Sequence, residues 1–291
     1  MKNYEVNKNN RNIEFQKALD KVKKDFVNKE CKSSKPTFIL AGGQPGSGKT
    51  AMINTIKNNN LSKKFVVVDL DLFRNYHPDF NEIKKYHKKD GVLLTNSFAF
   101  EIENELIKYC IQNSLNVINV TTLRNTKMIL NNIKEVLIPN GFSIEAYIMA
   151  VSPEESYFST LVRFKEQQMS DETLVRFNSR EFNDEAYNGL NKTIKSLFLE
   201  KYPIIICKRA EQKHLPAIIV YDGKKEKKPI TYIELESVIK EIRKQSFVRV
   251  KKIIEDTELN FLTDEDYAQN NLDNLIQEVK KTIIPKNYKS R

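Results

Sequence analysis

The chain has 291 residues, 40% hydrophobic and 30% charged, enough to bury one large core or two modest ones. Lys and Arg number 48 against 38 Asp and Glu; the resulting net charge of +10 suits anionic ligands, although solvated lysines on helix faces would give the same total. A run of about 18 apolar residues and an apolar export segment are both missing, so a membrane helix is excluded and a cytoplasmic protein is expected, with Cys31, Cys110 and Cys207 as free thiols.

From about Asn12, the residues Phe15, Leu19, Val22 and Phe26 recur at helical spacing, and Ser33-Ser34-Lys35-Pro36 ends that helix. The apolar run Phe38-Ile39-Leu40-Ala41 predicts a first strand. It leads into Gly42-Gly43-Gln44-Pro45-Gly46-Ser47-Gly48-Lys49-Thr50, and Ala51 to Lys57 reads as a helix. From Gly43 to Thr50 the chain satisfies G-x-x-x-x-G-K-[ST], the phosphate-binding P-loop. Glycines let successive backbone N–H groups turn inward around phosphate oxygens, and the following helix aims its N-terminus at the same anion. Lys49 then places a charge on the β- and γ-phosphates, and the Thr50 hydroxyl is the expected Mg²⁺ ligand. Four of the chain's 8 glycines lie in this stretch, which argues against an accidental turn.

A second strand, Phe65 to Val68, ends at Asp69-Leu70-Asp71, and a polar, aromatic loop runs through His77-Pro78-Asp79-Phe80. His77 beside Pro78 reads as a turn histidine. A helix is expected from about Ser97 to Gln112, then a strand from Leu115 to Val120 that ends at Thr121-Thr122. A helix near Thr126 to Val136 and a strand from Ser143 to Val151 follow. Ser152-Pro153-Glu154-Glu155 opens another helix, which carries Arg163. After Asn188-Gly189 the character changes. Ile204 to Cys207 and Ile218 to Tyr221 read as strands, the second ending in an Asp222-Gly223 turn, and Thr231-x-x-Glu234 is a capping box before a further helix. A last helix is expected near Leu272 to Ile284. Its apolar stripe of Leu272, Leu275, Ile276, Val279 and Ile283 either covers its own core or docks a partner.

This alternation predicts an α/β fold: a kinase-like P-loop NTPase with a doubly wound parallel sheet flanked by helices. The expected organisation is an N-terminal helix in 1–35, the P-loop domain in 36–245 and a helical C-terminal extension in 246–291. In such sheets ligands sit at the carboxyl ends of the strands, where the P-loop, Asp69/Asp71 and Thr121/Thr122 all fall. The GTPase base-reading motif is missing, since Asn191-Lys192-Thr193-Ile194 lacks the aspartate, and no transporter signature occurs. Phosphoryl transfer to an alcohol needs a carboxylate on the acceptor side and cations on the transferring group. Asp69 fits either that task or a cap of the following turn; Asp71 is the expected base. Arg163 and Arg176 suit a lid over the γ-phosphate, although an isolated arginine on a helix is more often a solvated face residue.

The P-loop, then Asp69-Leu70-Asp71-Leu72-Phe73-Arg74, then His77-Pro78-Asp79-Phe80 resemble the zeta toxin family of bacterial toxin–antitoxin kinases, from about Pro36 to Gly189 and, more faintly, to Lys244. The resemblance implies an enzyme that uses ATP and Mg²⁺ to phosphorylate the 3′-hydroxyl of the sugar in UDP-N-acetylglucosamine, blocked by a small helical antitoxin. It implies Lys49 as the P-loop lysine, Thr50 as the magnesium ligand and Asp71 as the catalytic base. Glu103 and Thr121 match substrate-contacting positions, Arg124 matches a further one across a loop one residue longer, and Arg163 and Arg176 match the arginines on the γ-phosphate. Many members have glutamate where this chain has Asn119, and nothing beyond Lys244 has a counterpart. Other readings keep the fold but phosphorylate another small molecule or polynucleotide 5′-hydroxyls, or bind nucleotide and a partner without kinase activity. Against nucleic acid, no basic stripe with interleaved aromatics occurs.

Overall fold

The computed structural model describes residues 8–256, apart from 171–173, 213, 214, 227 and 229, and the single positions 274 and 277. Apart from those two positions, the expected helix near Leu272 to Ile284 and its apolar stripe lie outside the described residues.

Six strands form one sheet: β1 (Thr37–Gly42), β2 (Val66–Asp69), β3 (Val117–Thr121), β4 (Ser143–Met149), β5 (Ile204–Lys208) and β6 (Ile218–Asp222), in the spatial order β2-β3-β1-β4-β5-β6. The first five are mutually parallel, with Leu40 opposite Asn119 on one side and Ala146 on the other. The parallel sheet expected from the sequence carries one exception, because β6 runs antiparallel to β5. The nine residues between them are too few for the crossover of a dozen or more that a parallel partner needs, so the chain turns back as a hairpin.

Every residue of β1 is buried, as a central strand covered on both faces requires. Its side chains alternate between two cores. Phe38 and Leu40 join Phe98, Ile102 and Leu106, while Ile39 and Ala41 join Met52, Ile53 and Ile56. The first core packs α1 (Lys8–Phe26) and α5 (Gly91–Gln112) against the sheet; the second packs α2 (Lys49–Asn59). Ala18, Leu19 and Val22 of α1 are thus part of the main core. The three cysteines are free and buried.

Several elements differ from expectation. The stretch after β2 holds two short helices, α3 (Leu70–Phe73) and α4 (Phe80–Tyr86), and α5 starts at Gly91 rather than Ser97. After β3, α6 (Thr126–Asn132) continues into a π-helical turn at Ile133–Leu137. α7 (Pro153–Met169) starts as predicted, with the Ser152 hydroxyl accepting from the Glu155 amide at 3.1 Å.

α8 (Arg180–Leu199) was not delimited beforehand, although Asn191 to Ile194 reads as helix surface; its Ala186, Leu190, Ile194 and Leu197 are buried at helical spacing. Gly189 interrupts this pattern for a tertiary reason. A Cβ there would lie 2.3 Å from the Arg124 carbonyl oxygen, so only glycine lets the helix rest on that backbone. The capping box at Thr231 and Glu234 forms and opens α9 (Tyr232–Asp256), which runs unbroken through 245–246, where the extension was expected to begin. Val250 of α9 packs with Tyr157, Phe158 and Leu161 of α7.

Candidate active site

The sheet reverses its winding at β1, and the loop after that strand turns directly into α2. Gly46 sits at φ 76°, and a Cβ added there would meet the Ser156 carbonyl oxygen at 2.2 Å, so conformation and space both require glycine. Gln44 lies beneath the loop and donates from Nε2 to the Val151 carbonyl at 2.9 Å, while Asn183 of α8 donates to the Pro45 carbonyl at 3.3 Å. The loop is therefore moored to the end of β4 and to α8. Lys49 folds back and donates from Nζ to the carbonyls of Gly43 and Gln44, at 2.7 and 3.1 Å. Burial lowers its pKa to about 8, against the pull of Asp69 and Asp71.

A cleft of about 790 Å³ opens over this loop, lined by Pro45 to Thr50 and by Asp71, Glu103, Thr121, Arg124, Arg163 and Arg176. Gly43 and Gln44 are the two predicted residues that do not line it; they are buried and offer carbonyls to Lys49. Thr50 is exposed at its floor. No three His, Cys, Asp or Glu side chains converge on a metal position among the described residues. Mg²⁺ keeps several waters and takes one or two protein ligands alongside substrate phosphates. Thr50, with Asp69 lining the same cleft, is such a donor set.

The two aspartates have separate tasks in the fold. Asp69 caps α3, its Oδ1 accepting from the Asp71 amide at 3.1 Å. Asp71 accepts from Arg74 Nε at 3.1 Å through Oδ1 and from Arg176 through Oδ2. Arg74 is itself locked by the Val92 carbonyl at 2.8 Å, the Thr95 hydroxyl at 3.3 Å and Asn96 Oδ1 at 3.1 Å, all on α5. These environments push the carboxyls apart. Burial and the charge of Asp71 raise the pKa of Asp69, whereas Arg176 and Arg74 outweigh burial and lower that of Asp71. Burial, with Asp69 and Asp71, raises Glu103 to about 7.

Arg163 projects from α7 with Nε and Nη2 buried and without a hydrogen-bond partner among the described residues. Burial and the neighbouring Arg176 both lower its pKa. An unpaired buried guanidinium is costly, and an anion in the cleft is the partner that would satisfy it. Arg176 follows α7 and is oriented by Gln167 Oε1, which accepts from its backbone amide at 2.9 Å. On the far wall, Arg124 stacks its guanidinium 4.7 Å from the Phe182 ring centre. His77 accepts from the Asp79 amide at 3.1 Å and forms the expected turn.

Among the lining residues that escaped the sequence reading are Glu155, Arg209 and Arg249. Glu155 passes for an ordinary first-turn acid of α7. Arg209 follows β5 directly, so the rule that sites gather at the carboxyl ends of strands was the signal that pointed to it. Arg249 lies within a helix and had no local signal.

A glycine-rich loop at the switch point of a doubly wound sheet makes this chain a P-loop α/β protein. Within that class, the zeta toxin family model matches residues 20–217, and the chain belongs to that family. It is 33% identical over 153 residues to the toxin PezT of Streptococcus pneumoniae serotype 4, a match covering 53% of this chain and 60% of that relative. The match thus spans well under two thirds of the relative's length. Among solved structures, the PezAT toxin–antitoxin system of Streptococcus pneumoniae superposes with a TM-score of 0.63 at 24% identity, over 92% of this chain and 97% of that one. A complex of AvrRxo1-ORF1 with ORF2 and ATP superposes with a TM-score of 0.56 at 12% identity, over 93% and 85%. At these identities both structures speak for the fold alone.

Proposed function

We propose that this chain is an ATP-dependent kinase, the toxin of a toxin–antitoxin system, that phosphorylates the sugar 3′-hydroxyl of UDP-N-acetylglucosamine. One observation carries the reading: Lys49, Asp71, Arg163 and Arg176 line a single cleft above the P-loop, and Arg163 has buried donors without a protein partner. ATP fits the loop, and a protein on the same fold was solved with ATP. The antitoxin partner is carried over from the PezAT relative.

In this reading the P-loop amides and Lys49 hold the β- and γ-phosphates, and Thr50 ligates Mg²⁺. Bound there, the ion would supply positive charge against that of the phosphates. Asp71 takes the proton of the attacking hydroxyl. In the structure Asp71 is clamped between Arg74 and Arg176, which makes it a weak base. Once Arg176 turns to the transferring phosphoryl group, Asp71 loses that partner and gains basicity while Arg74 keeps it oriented. Arg163 and Arg176 then oppose the charge that spreads over the equatorial oxygens. Glu103, Thr121 and Arg124 form the acceptor side. Asn119, where many relatives carry glutamate, is not among the residues that line the cleft.

The test is phosphate incorporation from labelled ATP into a panel of UDP-sugars, with an oligonucleotide 5′-hydroxyl as competitor and Lys49→Ala as the inactive control. Incorporation into UDP-N-acetylglucosamine alone is expected. Folded protein that binds ATP yet labels no UDP-sugar would sink the acceptor assignment, and labelling of the oligonucleotide would replace it.

A further inference from the structure

We propose that Glu155 is a positioning residue for the P-loop, holding Arg209 against the carbonyls of Gly46 and Ser47 while α9 anchors it from behind. The proposal rests on the nucleotide reading of the cleft and adds a support that lies outside the P-loop motif.

Glu155 is 2% exposed, at the first turn of α7. Its Oε1 accepts from Arg209 Nη1 at 3.1 Å and from Arg249 Nε at 3.0 Å, and its Oε2 accepts from Arg249 Nη2 at 2.7 Å and from the Ser246 hydroxyl. Arg209 turns two further donors to the loop, Nε to the Ser47 carbonyl at 3.2 Å and Nη2 to the Gly46 carbonyl. An unbroken chain of hydrogen bonds therefore runs from α9 through Glu155 and Arg209 to two successive P-loop carbonyls.

The physical need for such a support follows from the loop itself. A P-loop aims amides at phosphate, so its carbonyls face away and must find donors elsewhere. Gly46 and Gly48, at φ 76° and 94°, have no side chains with which to fix the intervening peptide planes. A guanidinium fork reaches two neighbouring carbonyls and a carboxylate from three separate nitrogens held in one plane, a spread that the compact ammonium does not reproduce. Arg209 is half-buried and beside Arg249, and both conditions work against its charge, while Glu155 favours it. A carboxylate that only capped α7 or clamped it to α9 would have no reason to engage an arginine whose other donors are spent on the P-loop. Buried charges are tolerated when paired, and this one is paired toward the nucleotide side.

The experiment measures the ATP dissociation constant and steady-state turnover for wild type, Glu155→Gln, Arg209→Met, Arg209→Lys and the Glu155→Gln/Arg209→Met double variant. All are assayed well below their unfolding midpoints. Each single variant is expected to weaken ATP about 10- to 100-fold, as loss of charge-assisted bonds to a phosphate site predicts, with turnover at saturating ATP within about threefold. Arg209→Lys should recover little. Because both residues act through one chain, the double variant should be no more than about threefold worse than the poorer single. A folded Arg209→Met or Glu155→Gln that binds ATP within about threefold of wild type overturns the proposal, as do losses that multiply. Should Glu155→Gln fail to fold, the two Arg209 variants decide the matter. Wild type that binds no ATP overturns the nucleotide reading, and this inference with it.

Discussion

Gly189→Ala isolates a contest between helix propensity and packing. In an exposed helix interior this change stabilises by about 1 kcal/mol, because alanine costs less backbone entropy. Here the new Cβ would lie 2.3 Å from the Arg124 carbonyl oxygen, 2.6 Å from its Cα and 2.8 Å from its carbonyl carbon. All three are backbone atoms, so no side-chain rotation relieves the overlap. Either α8 lifts away or the 123–124 segment moves. Lifting the helix loosens Leu190, Ile194 and Leu197, which are at most 1% exposed. Moving the segment disturbs the Thr193 hydroxyl, which donates to the Leu123 carbonyl at 2.7 Å.

Overpacking of this kind costs about 1–3 kcal/mol, and the extreme closeness to backbone puts this site at the upper end. After the propensity gain, a net loss of about 2 kcal/mol is expected, a fall of about 4–8 °C in Tm for a domain of this size. Urea and thermal unfolding of the two proteins measure it. Because Arg124 lines the cleft, the acceptor KM should rise more than the ATP KM. A Gly189→Ala protein at least as stable as wild type would refute the reasoning, since α8 would then not rest on the Arg124 backbone.

Asp71→Asn keeps the shape but not the basicity of the carboxylate, so near-normal ATP binding with a turnover loss of about 10²–10⁴ is expected; a large loss at Asp69→Asn alone would mean the two roles are reversed. Arg163→Ala and Arg176→Ala should each lower turnover far more than ATP affinity, with about 10³–10⁵ as the upper scale, and the double variant should be non-additive; equal losses in binding and turnover would reduce both to phosphate anchors. Glu103 titrates near 7 in the folded protein against 4.5 in its absence, so the native state holds a proton that the unfolded chain has lost between those values. Its contribution is fully present below pH 4.5 and is lost as pH rises through 7, which at about 1.4 kcal/mol per pH unit, discounted for partial exposure, amounts to about 1–2 kcal/mol. Urea midpoints at pH 5 and pH 7 should therefore fall less in Glu103→Gln than in wild type, and equal falls would contradict the burial of this carboxyl.

The strands and the P-loop were legible because their signals are local. A fully buried parallel strand needs an unbroken apolar run, and a phosphate cradle needs glycines at fixed offsets. The misreadings share a cause as well. The helix after His77 was expected only from Ser97 and α8 was not delimited, yet Gly91 is the first residue of α5 and Gly189 lies inside α8. At Gly189 a neighbouring backbone, not a turn, excludes the side chain, and no local pattern encodes that neighbour. Asp71 was findable from its two-residue spacing to Asp69. Glu155 was not, because Arg209 lies 54 positions away and Arg249 lies 94.

Net charge, the broadest feature of the sequence, turns out to say little about the cleft. Its described lining holds seven cationic side chains, Lys49 and six arginines, against six acids, a net of +1, so nearly all of the chain's +10 comes from residues outside it. What distinguishes the cleft is how the charges are committed. Arg74 and Arg176 are bound to Asp71, and Arg209 and Arg249 to Glu155. Lys49 rests on carbonyls and Arg163 has donors to spare. On the proposed reading, an incoming polyphosphate meets three cations that need no ion pair broken, Lys49, Arg124 and Arg163, and one, Arg176, that must leave a carboxylate to reach it. On that reading, Arg176 is the cation that would couple arrival of the phosphate to release of Asp71. That coupling follows from the pairing of the charges, and a more cationic cleft in which Arg176 stood free would bind phosphate without it.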